Sequence, residues 1–286
     1  MWHRGLENVD NGYRSLRPCQ LEAALAWLDG CLGRVLMADE QALVGDMLAE
    51  LPPFQDSLAI APQSYAPLLD TVAERSRHRH VLAPAAAGDG LGGDPGGTRR
   101  PSSLVWGLPE ALPFASAELD LVVLVHTLEF SRSPYRVVAE AERVLAPNGR
   151  LLVLTFNPLS LFGLARPWLL RQSRNGPWPG RFLTAIHVRR MLESTQLAPE
   201  RSRYVFFRPP VASERALRVT RFLERLPGRH NLPWGAVTCI QARKEEPGVT
   251  LLGPAYRAEL AGRSEPGMPV YPFERHDQHG KGPGFP

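Results

Sequence analysis

The chain of 286 residues is 44% apolar and 22% charged, a balance that suits one large α/β domain or two small ones and excludes a wholly disordered chain. Its formal charge of +4 and pI near 9.2 bias it mildly toward anionic partners without forming a nucleic-acid signature. No apolar run reaches the ~20 residues of a membrane-spanning helix, and Cys19, Cys31 and Cys239 are too widely spaced for a disulfide framework or a zinc site.

The opening residues, Met1 to Asn8, lack the apolar core of a secretory signal, so a reducing cytoplasm is the expected location. Residues 1–18 show no periodicity and are expected to form a disordered tail. Residues 19–53 predict helices. Leu21, Ala24, Leu25 and Leu28 share one face, Leu43, Val44, Met47, Leu48 and Leu51 share another, and Pro52-Pro53 ends the second. Residues 54–244 then alternate strand and helix patterns. Ser57 to Ala61 is short and apolar, as a first strand would be. Tyr65 to Glu74 follows as a helix and His80 to Ala83 as a second strand.

Residues 84–101 are rich in glycine. Gly88, Gly90 and Gly93 satisfy the GxGxxG spacing, but Asp94-Pro95-Gly96-Gly97 would break the helix that such a loop must open. A flexible surface insertion is the expected role. Ser102 to Trp106 predicts a third strand.

The run Leu121-Val-Val-Leu-Val125 is apolar without alternation, as in a strand covered on both faces of a parallel sheet. A loop is expected after it, and then Ser133-Pro134 as N-cap and first-turn proline of a helix. Val137, Val138, Ala141, Val144 and Leu145 form one face of that helix. Pro147-Asn148-Gly149 stops it and turns the chain into a second buried strand, Leu151 to Phe156. The result is a βαβ unit with a right-handed crossover. Further on come a helix from Thr184 to Thr195, a strand at Arg203 to Phe207, an arginine-rich helix from Ser213 to Leu226 and a last strand from Gly235 to Ala242. From Glu245 to Pro286, proline, glycine and charge predict a second disordered tail.

Leu112-Pro113-Phe114, Leu119-Asp120-Leu121-Val122-Val123 and Glu142-Arg143-Val144-Leu145-Ala146-Pro147-Asn148-Gly149-Arg150-Leu151-Leu152 together resemble the LPF…FDVV…RVLKPGGRLL pattern of class I S-adenosylmethionine-dependent methyltransferases of the type 11 kind. Asn157-Pro158-Leu159-Ser160-Leu161-Phe162-Gly163-Leu164 resembles the NPxSxxGL run of a small bacterial branch with a degenerate cofactor loop. The resemblance spans about Leu32 to Lys244. It implies a doubly wound, mostly parallel, seven-stranded Rossmann-like sheet with its last strand antiparallel, S-adenosyl-L-methionine as cofactor and methyl transfer to an unidentified acceptor. It also implies that the N-terminal helices lie over the cofactor cleft, or else only pad the sheet.

Two departures from that pattern sustain a second reading, a methyltransferase-like binding or regulatory protein without catalysis. Ile60-Ala61-Pro62-Gln63-Ser64 has no glycine where the family has its glycine-rich turn. Leu108, after Gly107, stands where the family often has an aspartate for the adenine amino group.

Ligands of open α/β sheets bind outside the carboxyl ends of the strands. That rule selects Ile60, Ala61, Pro62, Leu108, Pro109, His126 and Thr127 as cofactor-binding candidates, and Asn157 and Ser160 as substrate contacts. His126, directly after the central strand, is the candidate catalytic group, able to move a proton near neutral pH; the plainer reading is a strand-end histidine bonded to a nearby loop. For Asn157 a cap on the next turn is the favoured reading, with substrate contact as the alternative. Methyl transfer needs alignment and exclusion of water more than a base. No metal site is expected, because His78 and His80 are flanked by arginine and have no carboxylate nearby in sequence.

Leucines and tryptophan from Leu159 to Leu170, interleaved with Arg166, Arg171, Arg174 and Arg181, suit either a lid at an apolar or membrane-surface substrate or a helix packed on the sheet with solvated arginines. Arginines scattered over several elements without a motif do not make a nucleic-acid interface.

Overall fold

The computed structural model describes residues 24, 26–84, 102–172, 180–208, 220 and 231–245, all of them within the unit Met1–Glu246. The expected tails at 1–18 and from 246 on, the glycine-rich insertion at 85–101 and most of the arginine-rich helix at 213–226 lie outside the described residues.

Seven strands form one sheet: β1 (Phe54–Ile60), β2 (Ser76–Pro84), β3 (Ser102–Gly107), β4 (Leu119–Val125), β5 (Leu145–Phe156), β6 (Leu197–Val205) and β7 (Val237–Lys244). Their spatial order is β3-β2-β1-β4-β5-β7-β6. All neighbours pair in parallel except β7, which is antiparallel to both β5 and β6. The order reverses between β1 and β4, so the crevice for a ligand opens above Ile60 and Val125.

Helices cover both faces. On one, α1 (Cys31–Ala49) and α2 (Ala66–Glu74) bury Leu36, Leu43, Val44, Leu48, Leu68 and Val72 against Val123, Val125, Leu152 and Leu154. On the other, α4 (Pro134–Val144) and α6 (Ala185–Glu193) bury Val137, Val138, Ala141, Val188 and Met191 against Val122, Leu124, Leu151 and Val153. Odd and even residues of β4 therefore serve opposite cores, which is why its sequence does not alternate. Between β4 and α4 the chain makes a four-residue helix, α3 (Thr127–Phe130), where a loop was expected. A last helix, α5 (Leu161–Gln172), follows β5.

Ser133 does not cap α4 through its side chain. Its carbonyl accepts from Arg136 and Val137 N–H, while its own N–H donates to Ser131 Oγ at 3.0 Å. Pro134 at the first position needs no N–H partner there.

The pairing of Leu112-Pro113-Phe114 with Glu142-Arg143-Val144-Leu145 within this chain has a physical cause. Arg143 Nη1 donates to the Phe114 carbonyl (2.9 Å) and Nη2 to the Leu112 carbonyl (3.0 Å). Glu140 accepts from the Leu112 N–H at 3.0 Å and from Arg143 at 2.9 Å. Burial by itself would raise the Glu140 carboxyl, but Arg143 and the Leu112 amide outweigh it and lower it. The loop between β3 and β4 is thus tied to α4.

The strand starts at Leu145, directly after α4, so the expected stop at Pro147-Asn148-Gly149 lies inside β5; there Asn148 has φ of 62°, in the left-handed region that asparagine tolerates. A Cβ on Gly149 would lie 2.8 Å from the Ala146 carbonyl oxygen and 3.1 Å from Leu145 Cδ2. Gly149→Ala is expected to cost about 1–3 kcal/mol by overpacking, and Asn148→Gly less than about 0.5 kcal/mol, both read from urea denaturation midpoints.

Candidate active site

Three segments meet at the carboxyl ends of β1, β4 and β5. Glu40 comes from α1, His126 from the turn after β4, and Glu129 from α3. All three side chains are buried. His126 holds Glu129 Oε1 at 2.9 Å through Nδ1 and Glu40 Oε1 at 3.0 Å through Nε2. Glu129 Oε1 also accepts the Phe156 N–H, which ties β5 into the same cluster. The imidazole ring stacks on Phe156 at 4.7 Å between centroids.

Burial pulls the His126 pKa down, but the charges of Glu129 and Glu40 and their hydrogen bonds outweigh it and raise it to about 10. At neutral pH the ring is a cation that donates from both nitrogens. This overturns its assignment as a base that moves a proton near neutrality, because no lone pair is left to receive one. His126 also has φ of 53°, a conformation costing a β-carbon residue roughly 1–2 kcal/mol. The two carboxylates and its N–H bond to Leu154 O at 3.0 Å hold it there.

Tyr65, at the start of α2, lies beside this cluster with ring centroids 5.9 Å from His126. Burial first, then the charges of Glu40 and Glu129, raise its phenol well above the usual value. The Tyr65 hydroxyl and Glu40 Oε2 have no regular hydrogen-bond partner among the described residues. Glu40 nonetheless raises the phenol through a polar contact with it, so the two groups approach each other short of ideal geometry. Above the cluster, Trp27, Phe156, Phe162 and Phe182 pack ring on ring, with Phe156 to Phe182 at 5.1 Å.

The other expected cofactor residues line the crevice. Ile60 ends β1, and its carbonyl accepts from Thr127 Oγ1 at 3.1 Å. Ala61 and Pro62 lead into a single 3-10 turn, Gln63–Tyr65, in place of a glycine loop. Leu108 forms a bridge with Ala111, and Pro109 is buried beside it. These are apolar side chains; their polar groups are backbone.

Asn157 and Ser160, expected at the substrate, are buried; Ser160 bonds within its own turn, and Asn157 both within it and to the loop before β7. Asn157 Nδ2 donates to Pro233 O (2.8 Å) and Gly235 O (3.0 Å), and Oδ1 accepts the Leu159 N–H (3.1 Å). Ser160 Oγ donates to Asn157 O at 2.8 Å and accepts from Gly163 N at 3.0 Å, which caps α5. A Cβ on Gly163 would stand 2.3 Å from the Pro158 carbonyl oxygen. The Asn-Pro-x-Ser-x-x-Gly spacing is the specification of this turn.

His78 and His80 are not isolated from carboxylates after all. The parallel register sets Asp56 opposite His78, with Nδ1 to Oδ1 at 3.1 Å, and His80 Nδ1 meets Ser103 Oγ at 2.9 Å. Among the described residues no three His, Cys, Asp or Glu side chains group as metal ligands would.

Glu40 and Glu129 were missed from sequence. Glu129 lies three residues after His126, a spacing that could have been noticed on a helix. Glu40 lies 86 residues away, and its only signal is a charge on the apolar face of α1, between Leu36 and Leu43.

Residues 96–153 match the model of a methyltransferase domain family. A similar solved structure is a S-adenosylmethionine-dependent methyltransferase of Thermotoga maritima, described as a possible histamine N-methyltransferase. It shares 17% identity at a TM-score of 0.54, over 73% of this chain and 89% of that one. The chain has the fold of the class I S-adenosylmethionine-dependent methyltransferases. Among curated proteins it is 40% identical over 80 residues to the uncharacterized protein YafS of Escherichia coli, covering 27% of this chain and 32% of that protein. It is 35% identical over 125 residues to the malonyl-[acyl-carrier protein] O-methyltransferase of Hahella chejuensis, covering 43% of this chain and 42% of that protein. The chain therefore spans between a third and a half of the length of these relatives.

The raised pKa of His126 sets a pH dependence for this methyltransferase fold. The folded value of about 10 lies above the ~6.5 of an unfolded histidine, so its stabilisation is complete below about pH 6.5 and is lost as pH rises through about 10. Glu40→Gln is expected to cost about 3 kcal/mol at neutral pH and to start that decline at lower pH. Denaturation across the pH range, with the His126 ring signals followed by NMR, checks both.

Proposed function

We propose that the protein is an S-adenosylmethionine-dependent methyltransferase acting on an acceptor that its relatives do not specify. The observation that carries this reading is the strand order 3-2-1-4-5-7-6 with β7 antiparallel, together with the methyltransferase-domain match over 96–153.

The crevice residues fit such a cofactor in charge and in shape. Two carboxylates face one imidazolium at its floor, and Glu40 Oε2 is buried without a regular partner; this arrangement favours a cation. The half-buried Leu108 offers an apolar side chain to a planar base, while the Ala61–Pro62 turn offers only small side chains and backbone. S-adenosylmethionine, when bound, supplies a methyl group already activated by a sulfonium. The chain's own work is then to bind, align and exclude water.

In this scheme Glu40 and Glu129 set the potential at the crevice floor. The doubly bonded His126 locks β4, α3 and α1 in one arrangement, and the packed rings of Phe156, Phe162 and Phe182 exclude water from the side of β5. No protein base is required: an acceptor that is neutral and nucleophilic when it arrives can lose its proton to solvent afterwards.

Calorimetric titration with S-adenosylmethionine, which carries the sulfonium charge, tests this reading. Micromolar binding, weakened about tenfold or more by Glu40→Gln through loss of one buried charge, is the expected result. No heat and no thermal shift at millimolar ligand would overturn it.

A further inference from the structure

The surface of the described protein is polarised along the strand direction. At the amino end of β5 and the carboxyl end of β7, charges pair: Arg150 with Glu200 at 2.6 Å and Lys244 with Glu142 at 2.9 Å. At the crevice end the surface is apolar. Six of the nine large hydrophobic side chains that stand exposed among the described residues lie there: Leu159, Leu161, Leu164, Ile186, Leu232 and Trp234.

These side chains are held as one group by hydrogen bonds already described. Asn157 Nδ2 grips the carbonyls on both sides of Trp234, and Asn157 Oδ1 grips the Leu159 N–H. The β5–α5 turn and the loop leading into β7 are thereby fastened tip to tip. Leu183 N–H bonds to Phe156 O at 3.0 Å, which brings the start of α6, with Ile186, to the same end of the sheet. Leu164 is 69% exposed and Trp234 65%, although both sit on backbone whose polar groups are well anchored. A soluble protein gains nothing from rigidly presenting such side chains to water.

Among the described residues the exposed charge near this apolar group is mostly positive, with Asp29, which accepts from Ser64 Oγ, as a carboxylate at the same end. Arg132, Arg136 and Arg181, on the neighbouring loops and at the start of α4, are exposed. Apolar tips with a tryptophan, set in a cationic collar, match the two layers of an anionic bilayer surface: acyl chains below, negative headgroups around. No helix among the described residues is long and apolar enough to cross a membrane, so the contact is interfacial.

We propose that this rim, Leu159, Leu161, Leu164, Leu232 and Trp234 within its arginine collar, docks the protein on an anionic lipid surface. The crevice then opens toward the lipid, and the acceptor class is an amphiphile carried in that surface. Only this last consequence rests on the methyltransferase reading; docking itself requires no cofactor.

The test is co-sedimentation of the full chain with vesicles of phosphatidylethanolamine alone and with vesicles that also contain phosphatidylglycerol. Binding to the anionic vesicles is expected, weaker in high salt and reduced about tenfold or more in Leu161→Glu/Leu164→Glu/Trp234→Glu. Arg132→Glu/Arg136→Glu, which leaves the apolar tips in place, is expected to weaken binding to anionic vesicles alone. Circular dichroism melting confirms that each variant is folded. Absence of vesicle binding, or binding unchanged in the triple variant, overturns the proposal. So does a protein that dimerises in solution through these leucines, becomes monomeric in the triple variant and ignores vesicles, since the rim would then be covered by a second copy. Cofactor titration of the triple variant is expected to match the unmodified chain, so failure of docking and failure of cofactor binding are read separately.

Discussion

One buried cation between two buried carboxylates organises the crevice end of this protein. Desolvating an imidazolium is costly, and it is offset here because both ring nitrogens and both carboxylates are engaged at 2.9–3.0 Å. The three groups come from α1, from the turn after β4 and from α3, and Glu129 reaches β5 through the Phe156 N–H. Each of these elements is placed by its own apolar face, but their relative register above the crevice depends on this cluster. The left-handed backbone at His126 persists for the same reason: its surroundings over-determine it.

The cluster also changes what the crevice can do. A histidine at the end of the central strand is an inviting base, yet here its chemistry is spent on structure. What remains at the floor is a pair of carboxylates against one cation, with aromatic rings stacked beside them. Such a site favours a positively charged ligand group and a dry reaction zone, and it has no use for proton relay. Both suit the transfer of a methyl group that is already activated.

The Asn157 turn plays the corresponding part at the outer rim. Its side chain has no group to spare for a substrate, since it fastens the β5–α5 turn to the loop before β7. By doing so it fixes the exposed leucines and Trp234 at the mouth of the crevice. A motif that reads as a binding sequence is thus a fastening for the surface around the site.

Much of the fold was legible in the chain alone. The unalternating run Leu121–Val125 and the apolar stripe of α4 follow from local periodicity, which acts between residues a few positions apart. The Ser160 cap of α5 and the close approach at Gly163 became visible only in the fold, since the chain alone suggested Ser160 as a substrate contact. The site was not legible, because its decisive contacts join residues with no sequence relation. Glu40 and His126 are 86 positions apart, Asp56 meets His78 only through the parallel register of β1 and β2, and Asn157 finds its partners beyond Trp234. A histidine's identity announces that it can titrate, but its pKa is set by burial and by neighbouring charges. Those are properties of the folded arrangement, so only the tertiary structure could decide that His126 is a fixed cation and not a base.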